Sequence, residues 1–213
     1  SDASRDTTID LSLPQLRRIC QVSRSPLQDN RGRFRAWLHL VYDITPQVIL
    51  SEQLAELART DSLTGLANRR QFHERASLNH ALARREQRPW SLIMVDLDHF
   101  KAVNDLHGHD AGDAALVHCA RIIKAYIRET DLAMRWGGEE LLLLLEGARE
   151  DQAVLMAERI RQAILNGTFA HDGVIIPLSA SIGAAGSDMH PDLDPESLLQ
   201  RADQAMYEAK RQG

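Results

Sequence analysis

Apolar residues recur along this chain with two periods, and the period switches in blocks. The first ten residues, S-D-A-S-R-D-T-T-I-D, are polar and read as loose. Residues 12–22 follow with Pro14 in a first turn and Leu16, Ile19 and Cys20 on one side, which predicts a short helix. Residues 24–32, with Pro26, Asp29, Asn30 and Gly32, read as a turn. R-F-R-A-W-L-H-L-V-Y-D at 33–43 partly alternates and is rich in strand formers, so a strand is expected. From Thr45 to Ala58 the period becomes helical. Leu50, Leu54 and Leu57 fall at the four-three spacing of a coiled-coil seam, which equally suits one helix packing on its own domain.

D-S-L-T-G-L-A-N-R-R at 61–70 breaks that helix. Helical spacing then returns over 70–88, with Phe72, Ala76, Leu78 and Leu82 as inward candidates, and again over 113–127, 150–165 and 195–211. S-L-I-M-V-D at 91–96 is a continuous apolar run ending on acid, as a buried strand does. Residues 99–112 read as a loop or short helix. Two strands, 131–136 and 140–146, flank Gly137 and Gly138, and another strand is expected over 174–185. Strands alternating with helices, one hairpin among them, predict an α/β sandwich with a mixed sheet.

One stretch does not fit a purely structural account. In R-W-G-G-E-E-L-L-L-L-L-E at 135–146, two carboxylates stand directly before five leucines. Two glycines predict a tight turn with φ > 0, which would leave Glu139 and Glu140 at the rim and send the leucines into the sheet. A turn needs no acids, however, and V-D-L-D at 95–98 supplies a second acidic cluster at a strand end. Pairing of the two segments would bring Asp96 and Glu139 to one edge. Converging carboxylates repel unless they share a proton or a cation. Hard oxygen donors suit Mg²⁺, which takes one or two carboxylates plus substrate phosphates. The competing reading is surface acids that never meet.

Composition narrows the classes. The chain has 213 residues, 44% hydrophobic and 26% charged, with net charge -5 and a pI near 6.0. It lacks the basic footprint of a nucleic-acid binder. Cys20 and Cys119 have neither zinc spacing nor a disulfide framework, so a reducing compartment fits. The histidines at 107, 109 and 118 form no convincing metal triad. No apolar run reaches the roughly 20 residues of a membrane span. The chain begins at Ser1 rather than Met and is read as a piece of a longer protein.

Five ordered segments carry a resemblance. G-G-E-E-L resembles the signature turn of the GGDEF family, the diguanylate cyclases. D-S-L-T-G-L-A-N-R-R at 61–70 resembles its opening motif, and V-D-L-D-H-F-K-A-V-N-D-L-H-G-H-D-A-G-D at 95–113 its strand and nucleotide loop. S-A-S-I-G-A-A at 179–185 and A-D-Q-A-M-Y-E-A-K at 202–210 resemble its closing strand and helix. The similarity spans about residues 58–213 and implies a nucleotidyl-cyclase-like fold, a mixed central sheet flanked by helices. Leu141 stands where the family usually has an aromatic residue.

The resemblance implies condensation of two GTP into cyclic di-GMP and pyrophosphate, between two facing domains of a homodimer, with Mg²⁺ (or Mn²⁺). It makes Asp96, the Leu97 carbonyl, Glu139 and Glu140 metal ligands. Glu140 is the alternative base for the 3′-hydroxyl, and Glu139 and Lys101 share in catalysis. Lys101 and Lys210 would contact phosphates, with backbone N–H groups at His99 and Phe100. Gly137 and Gly138 would adjoin substrate. Asn104 and Asp113 would contact guanine, and Asp113 suits the N1–H and N2–H₂ donors that adenine lacks. On its own, Asp113 reads as a helix N-cap. R-E-T-D at 128–131, with five residues between Asp131 and Gly137, resembles the family's inhibitory product site, with Arg159 as an arginine contributed by a partner domain. An ordinary Arg128–Asp131 surface ion pair is the plain alternative. The family often carries a further phosphate-binding arginine just past Gly213.

R-G-R-F-R-A-W-L-H-L-V-Y-D-I-T at 31–45 resembles the end of a PAS sensor. The expected organisation is therefore a 1–45 extension with a sensor-like end, a 46–58 signalling helix and a 59–213 cyclase domain. The expected location is cytoplasmic, with any membrane tie made through parent segments outside this chain. A catalytically silent receptor for cyclic di-GMP or GTP is the alternative. Retention of Asp96, Lys101, Glu139 and Glu140 favours catalysis.

Overall fold

The computed structural model describes residues 5–13, 16–50, 59–190 and 192–212. The chain divides into two compact units, Ser1–Ala58 and Arg59–Gly213.

The first unit contains an antiparallel three-stranded sheet in the order β1 (Arg5–Leu13), β2 (Leu16–Gln28), β3 (Phe34–Asp43). Two sequence expectations fail here. Residues 5–10 are strand rather than loose chain, and the expected helix over 12–22 is replaced by β1 and β2, paired from Arg5↔Arg24 to Leu13↔Leu16. The three-four spacing of Leu16, Ile19 and Cys20 misled because Ile9, Leu11 and Leu13 upstream alternate with period two. Cross-strand pairing outweighs a weak local helical pattern. The turn is confined to residues 29–33, where Asp29 accepts the N–H groups of Arg31 and Arg33. After β3, Asp43 accepts the Thr45 N–H at 3.0 Å and Thr45 Oγ1 accepts the Ile19 N–H at 2.8 Å. A helix, α1, then runs over 45–50. Leu54 and Leu57 of the expected seam lie outside the described residues.

The second unit is built on a five-stranded sheet. In chain order its elements are β4 (Ala67–Asn68), α2 (Arg69–Glu86), β5 (Trp90–Leu97), α3 (Phe100–His107), α4 (His109–Tyr126), β6 (Leu132–Arg135), β7 (Glu140–Glu146) and α5 (Glu150–Asn166). A small hairpin, β8 (Ala170–His171) with β9 (Val174–Ile175), precedes β10 (Ala180–Gly186) and α6 (Pro195–Gln212). The sheet order is β10-β5-β7-β6-β4. Only the β4–β6 pair is parallel among the described residues, so the sheet is mixed. The strand expected over 174–185 is split, with β9 and β10 in different sheets.

Helices cover both faces, which explains the continuous apolar runs. Every residue of β5 is buried, and Leu141 to Leu145 are at most 2% exposed. Alternation sorts them. Ile93, Val95, Leu141 and Leu143 pack with α3, α4 and α5, while Leu92, Met94, Leu142 and Leu144 pack with α2 and α6. Each buried leucine is worth about 2 kcal/mol over an exposed one. On α2 the inward stripe is Phe72, Ala76 and Asn79, whereas Leu78 points outward at 51% exposure. Asn79 is satisfied there by donating to the Arg75 carbonyl and to Glu146. At Gly183 a methyl would overlap the backbone of α6, so glycine lets α6 lie directly on β10. That contact fixes where the end of α6 falls.

Candidate functional site

The antiparallel register of β5 and β7 pairs Asp96 with Glu140, not with Glu139. Cross-strand partners share a face, here the face covered by α6. Asp96 is only 7% exposed and accepts a hydrogen bond from Lys210 Nζ at 2.6 Å. Lys210 is in the last turn of α6, and Asp203 lies two turns earlier on the same helix. Burial first, then the charges of Asp96, Asp203 and Glu139, push the Glu140 carboxyl above its usual range, with Lys210 opposing. The hydrogen bond to Asp96 holds the Lys210 ammonium above its usual value, against burial. Glu139 precedes β7, and its carbonyl accepts the Leu97 N–H at 3.4 Å. Asp96 and Glu140 thus sit together at the ends of two neighbouring strands, with Asp203 and Glu139 close enough to act on Glu140.

The G-G turn is built differently from the expectation. Neither Gly137 nor Gly138 has a positive φ. The Glu140 carbonyl closes the turn by accepting the N–H groups of Trp136 and Gly137, at 2.8 and 3.2 Å. A methyl at 137 would overlap the terminal oxygen of Glu140, so the carboxylate would have to move from its present position. At 138 a methyl would meet nothing. The turn is braced by a residue that sequence reasoning passed over. Arg135 donates to the Gly137 carbonyl at 3.2 Å, the Gly138 carbonyl at 2.8 Å and Asp61 at 3.2 Å. Asp61 also accepts from the Thr64 N–H and hydroxyl. Although burial raises its carboxyl, those bonds and the Arg135 charge bring it below the ordinary value. Trp136 meets Phe72 edge to face at 5.2 Å, and the Arg69 guanidinium lies 4.3 Å from its ring centre. The 61–70 segment thus buttresses the turn, and only its co-occurrence with R-W-G-G hinted at this.

After β5 the chain turns sharply. Asp98 accepts from the hydroxyls of Ser181 and Ser179 at 2.7 and 2.8 Å, which ties it to β10 and the residue just before it. His99 takes a left-handed conformation, φ 55°. Its carbonyl accepts from Ala102 and Val103, while the N–H groups of His99, Phe100 and Lys101 have no acceptor among the described residues. They open a helix whose N-terminus favours anions. Lys101 is exposed and makes no ion pair among the described residues. Asn104 is half-buried, and a methyl at Gly112 on α4 would overlap its amide. Gly112 is a second residue missed from sequence. Asp113 is exposed within α4, past its first turn, since that helix begins at His109. The N-cap alternative for Asp113 is thereby removed.

The Arg128 region forms a separate cleft of about 240 Å³, lined by Arg128, Asp131, Glu146, Met156 and Arg159 among others. Arg159 lines it from the same chain as Arg128. The ion pair between Arg128 and Asp131, the plain alternative, does not form. Asp131 accepts the backbone N–H groups of Arg128 and Glu146, at 2.9 and 3.1 Å. Both guanidinium groups are without ion pairs among the described residues. Glu146 is paired with Arg75, which also donates to the Thr130 carbonyl at 2.9 Å. No group of three or more His, Cys, Asp or Glu among the described residues is arranged to hold a metal by protein side chains alone. No helix among them is long and apolar enough to cross a membrane.

Comparison with known proteins gives a consistent picture. The diguanylate cyclase GGDEF domain family matches residues 58–213. A diguanylate cyclase of Vibrio cholerae is 40% identical over 171 residues, 80% of this chain and 52% of that protein. Diguanylate cyclase DgcM of Escherichia coli K12 is 38% identical over 179 residues, 83% of this chain and 42% of that protein. The chain thus spans about half the length of these curated relatives. Among solved structures, the coiled coil and GGDEF domain of DgcB from Caulobacter crescentus, in complex with cyclic di-GMP, aligns with a TM-score of 0.74 at 28% identity, covering 80% of this chain and 90% of that one. The diguanylate cyclase SiaD from Pseudomonas aeruginosa, solved with its activator SiaC, gives 0.69 at 36% identity, covering 79% and 65%. With the motifs in family order on this sheet, the chain belongs to the GGDEF family of diguanylate cyclases.

Proposed function

We propose that this chain condenses two GTP molecules into cyclic di-GMP and releases pyrophosphate. The observation that carries this reading is the Asp96–Glu140 cross-strand pair at the ends of β5 and β7, beside Lys210 and the N–H groups at the start of α3, which have no acceptor among the described residues. Two facing copies each bind one nucleotide, and each 3′-hydroxyl attacks the other's α-phosphate, forming a new P–O bond as pyrophosphate leaves. The residues fit a hard divalent cation: Asp96, Glu139 and Glu140 are oxygen donors, and their mutual repulsion, felt in the raised Glu140 carboxyl, favours added positive charge. The Leu97 carbonyl completes the donor set. Mg²⁺ or Mn²⁺ bound there would supply charge neutralisation at the phosphates and lower the hydroxyl's pKa.

The chain's own groups do the rest. Lys101, Lys210 and the N–H groups of His99 and Phe100 take phosphate charge. Asn104 and Asp113 face guanine's donor edge. Gly137 keeps the turn thin enough for the Glu140 carboxylate to fold over it, and Gly138 leaves room for substrate. Glu140 ligates the cation or takes the hydroxyl proton. Arg128, Asp131 and Arg159 form an inhibitory product site, where free guanidinium forks suit phosphate and guanine edges. Residues 59–213 form the cyclase domain, 46–58 a coupling helix and 1–45 a sensor-like extension. The reaction belongs in the cytoplasm.

Incubation of the purified chain with GTP and Mg²⁺, with nucleotides resolved by chromatography, tests the reading. Cyclic di-GMP from the parent chain and none from Glu140→Gln is the expected result. No product at high protein concentration, with cyclic di-GMP still bound, would replace it by the receptor reading.

A further inference from the structure

The pairing of Lys210 with Asp96 has a consequence for how a cation reaches this site, given the metal reading above. Asp96 is the most enclosed carboxylate of the cluster, its side chain only 10% exposed, and one of its oxygens is taken by the lysine ammonium at 2.6 Å. Glu139, Glu140 and Asp203 add negative charge around it. The ammonium is the positive charge that this cluster already possesses. A divalent ion on the same oxygen would face a like charge within contact distance, so lysine and metal exclude one another there.

The two competitors differ in what happens to the loser. A bare ion that displaces Lys210 leaves the ammonium without a partner. An ion arriving with a triphosphate brings acceptor oxygens for it. Lys210 has the freedom to make that exchange: it is on the last turn of α6, its side chain is 42% exposed, and its stem is long and flexible. We infer that Lys210 is a positioning residue that closes Asp96 to free divalent cations and yields it only to metal accompanied by nucleotide phosphates. Metal and nucleotide would then load as one unit, and the empty site would not collect ions or hold them in a non-productive geometry.

The test measures Mn²⁺ alone, by the electron paramagnetic resonance signal of the free aquo ion, on the full chain. Lys210→Met should bind nucleotide-free Mn²⁺ about tenfold more tightly than the parent, the scale of one charge-assisted hydrogen bond. Lys210→Arg, which retains a cation able to pair with Asp96, should stay within about twofold of the parent. Asp96→Asn should abolish the gain. Lys101→Met removes the same charge without an ion pair and should give much less than the Lys210→Met effect. In the presence of a GTP analogue with a methylene between the α- and β-phosphates, the order should reverse, Lys210→Met binding Mn²⁺ less well than the parent. Lys210→Met matching the parent without nucleotide would overturn the inference, as would an equal gain in Lys101→Met. Failure of the parent to bind Mn²⁺ even with the analogue would instead overturn the metal reading on which it rests. Circular dichroism confirms that each variant is folded.

Discussion

The two ends of β7 carry opposite electrostatics. At its start, Glu140 joins Asp96, Glu139 and Asp203 around one ammonium, so acids outnumber bases. At its far end, about 20 Å away by strand geometry, Glu146 is already neutralised by Arg75, and Arg128 and Arg159 make no ion pairs among the described residues. One end suits a cation with phosphates, the other an anion with hydrogen-bonding edges. The strand between them is five buried leucines. On the proposed reading one apolar element serves two sites, because polarity is confined to its terminal residues and the elements packed at each end decide the sign there.

If the ends act separately, Glu140→Gln should lower turnover by at least about a hundredfold. Cyclic di-GMP affinity at the Arg128 cleft, measured by calorimetry, should stay within about twofold. Loss of both together would break the comparison. Gly137→Ala should cut turnover by roughly a hundredfold, because it displaces the Glu140 carboxylate by about an ångström. Gly138→Ala, with open space at that position, should cost less in the same chromatographic assay. If the two glycines were needed for backbone conformation instead, the variants would be alike. At the other end, Arg128→Ala should weaken cyclic di-GMP binding about tenfold, as removal of one charge-assisted contact does. A change below twofold would exclude that guanidinium from the cleft's ligand.

The smallest effect concerns the brace beneath the turn. The Asp61 carboxyl is held below its ordinary value of 3.8. A depressed carboxyl adds stability above its ordinary value and loses it as pH falls through the lowered one. The parent should therefore exceed Asp61→Asn in urea stability at neutral pH, by on the order of 1 kcal/mol or less. The two should converge in acid, and a gap that widened in acid would reverse the assignment.

How much of this could be read beforehand differs by region. The helices and strands of 59–213 announce themselves through long apolar runs and period 3.6, because both faces of the sheet are covered. The 12–22 segment misled because its apolar spacing was short and ambiguous, and pairing with β1 and β3 settled it. Asp96, Glu139 and Glu140 stood out because acids at the mouth of an apolar run need an explanation. Arg135 and Asp61 did not, since an arginine before a tryptophan has no local signal of its own.

By itself, the sequence determined the family, the alternation of strands and helices, and the list of charged residues able to do chemistry. Local pattern and ordered motifs suffice for that. Only the tertiary structure decided which carboxylate faces Asp96, since register is a property of two strands together. It also decided that Gly137 lies against the Glu140 carboxylate without a left-handed turn, and that Lys210 reaches Asp96 from 114 residues away. Contacts between distant segments depend on how α6 lies against β10 and how β6 feeds β7. No window of sequence contains both halves of such a contact.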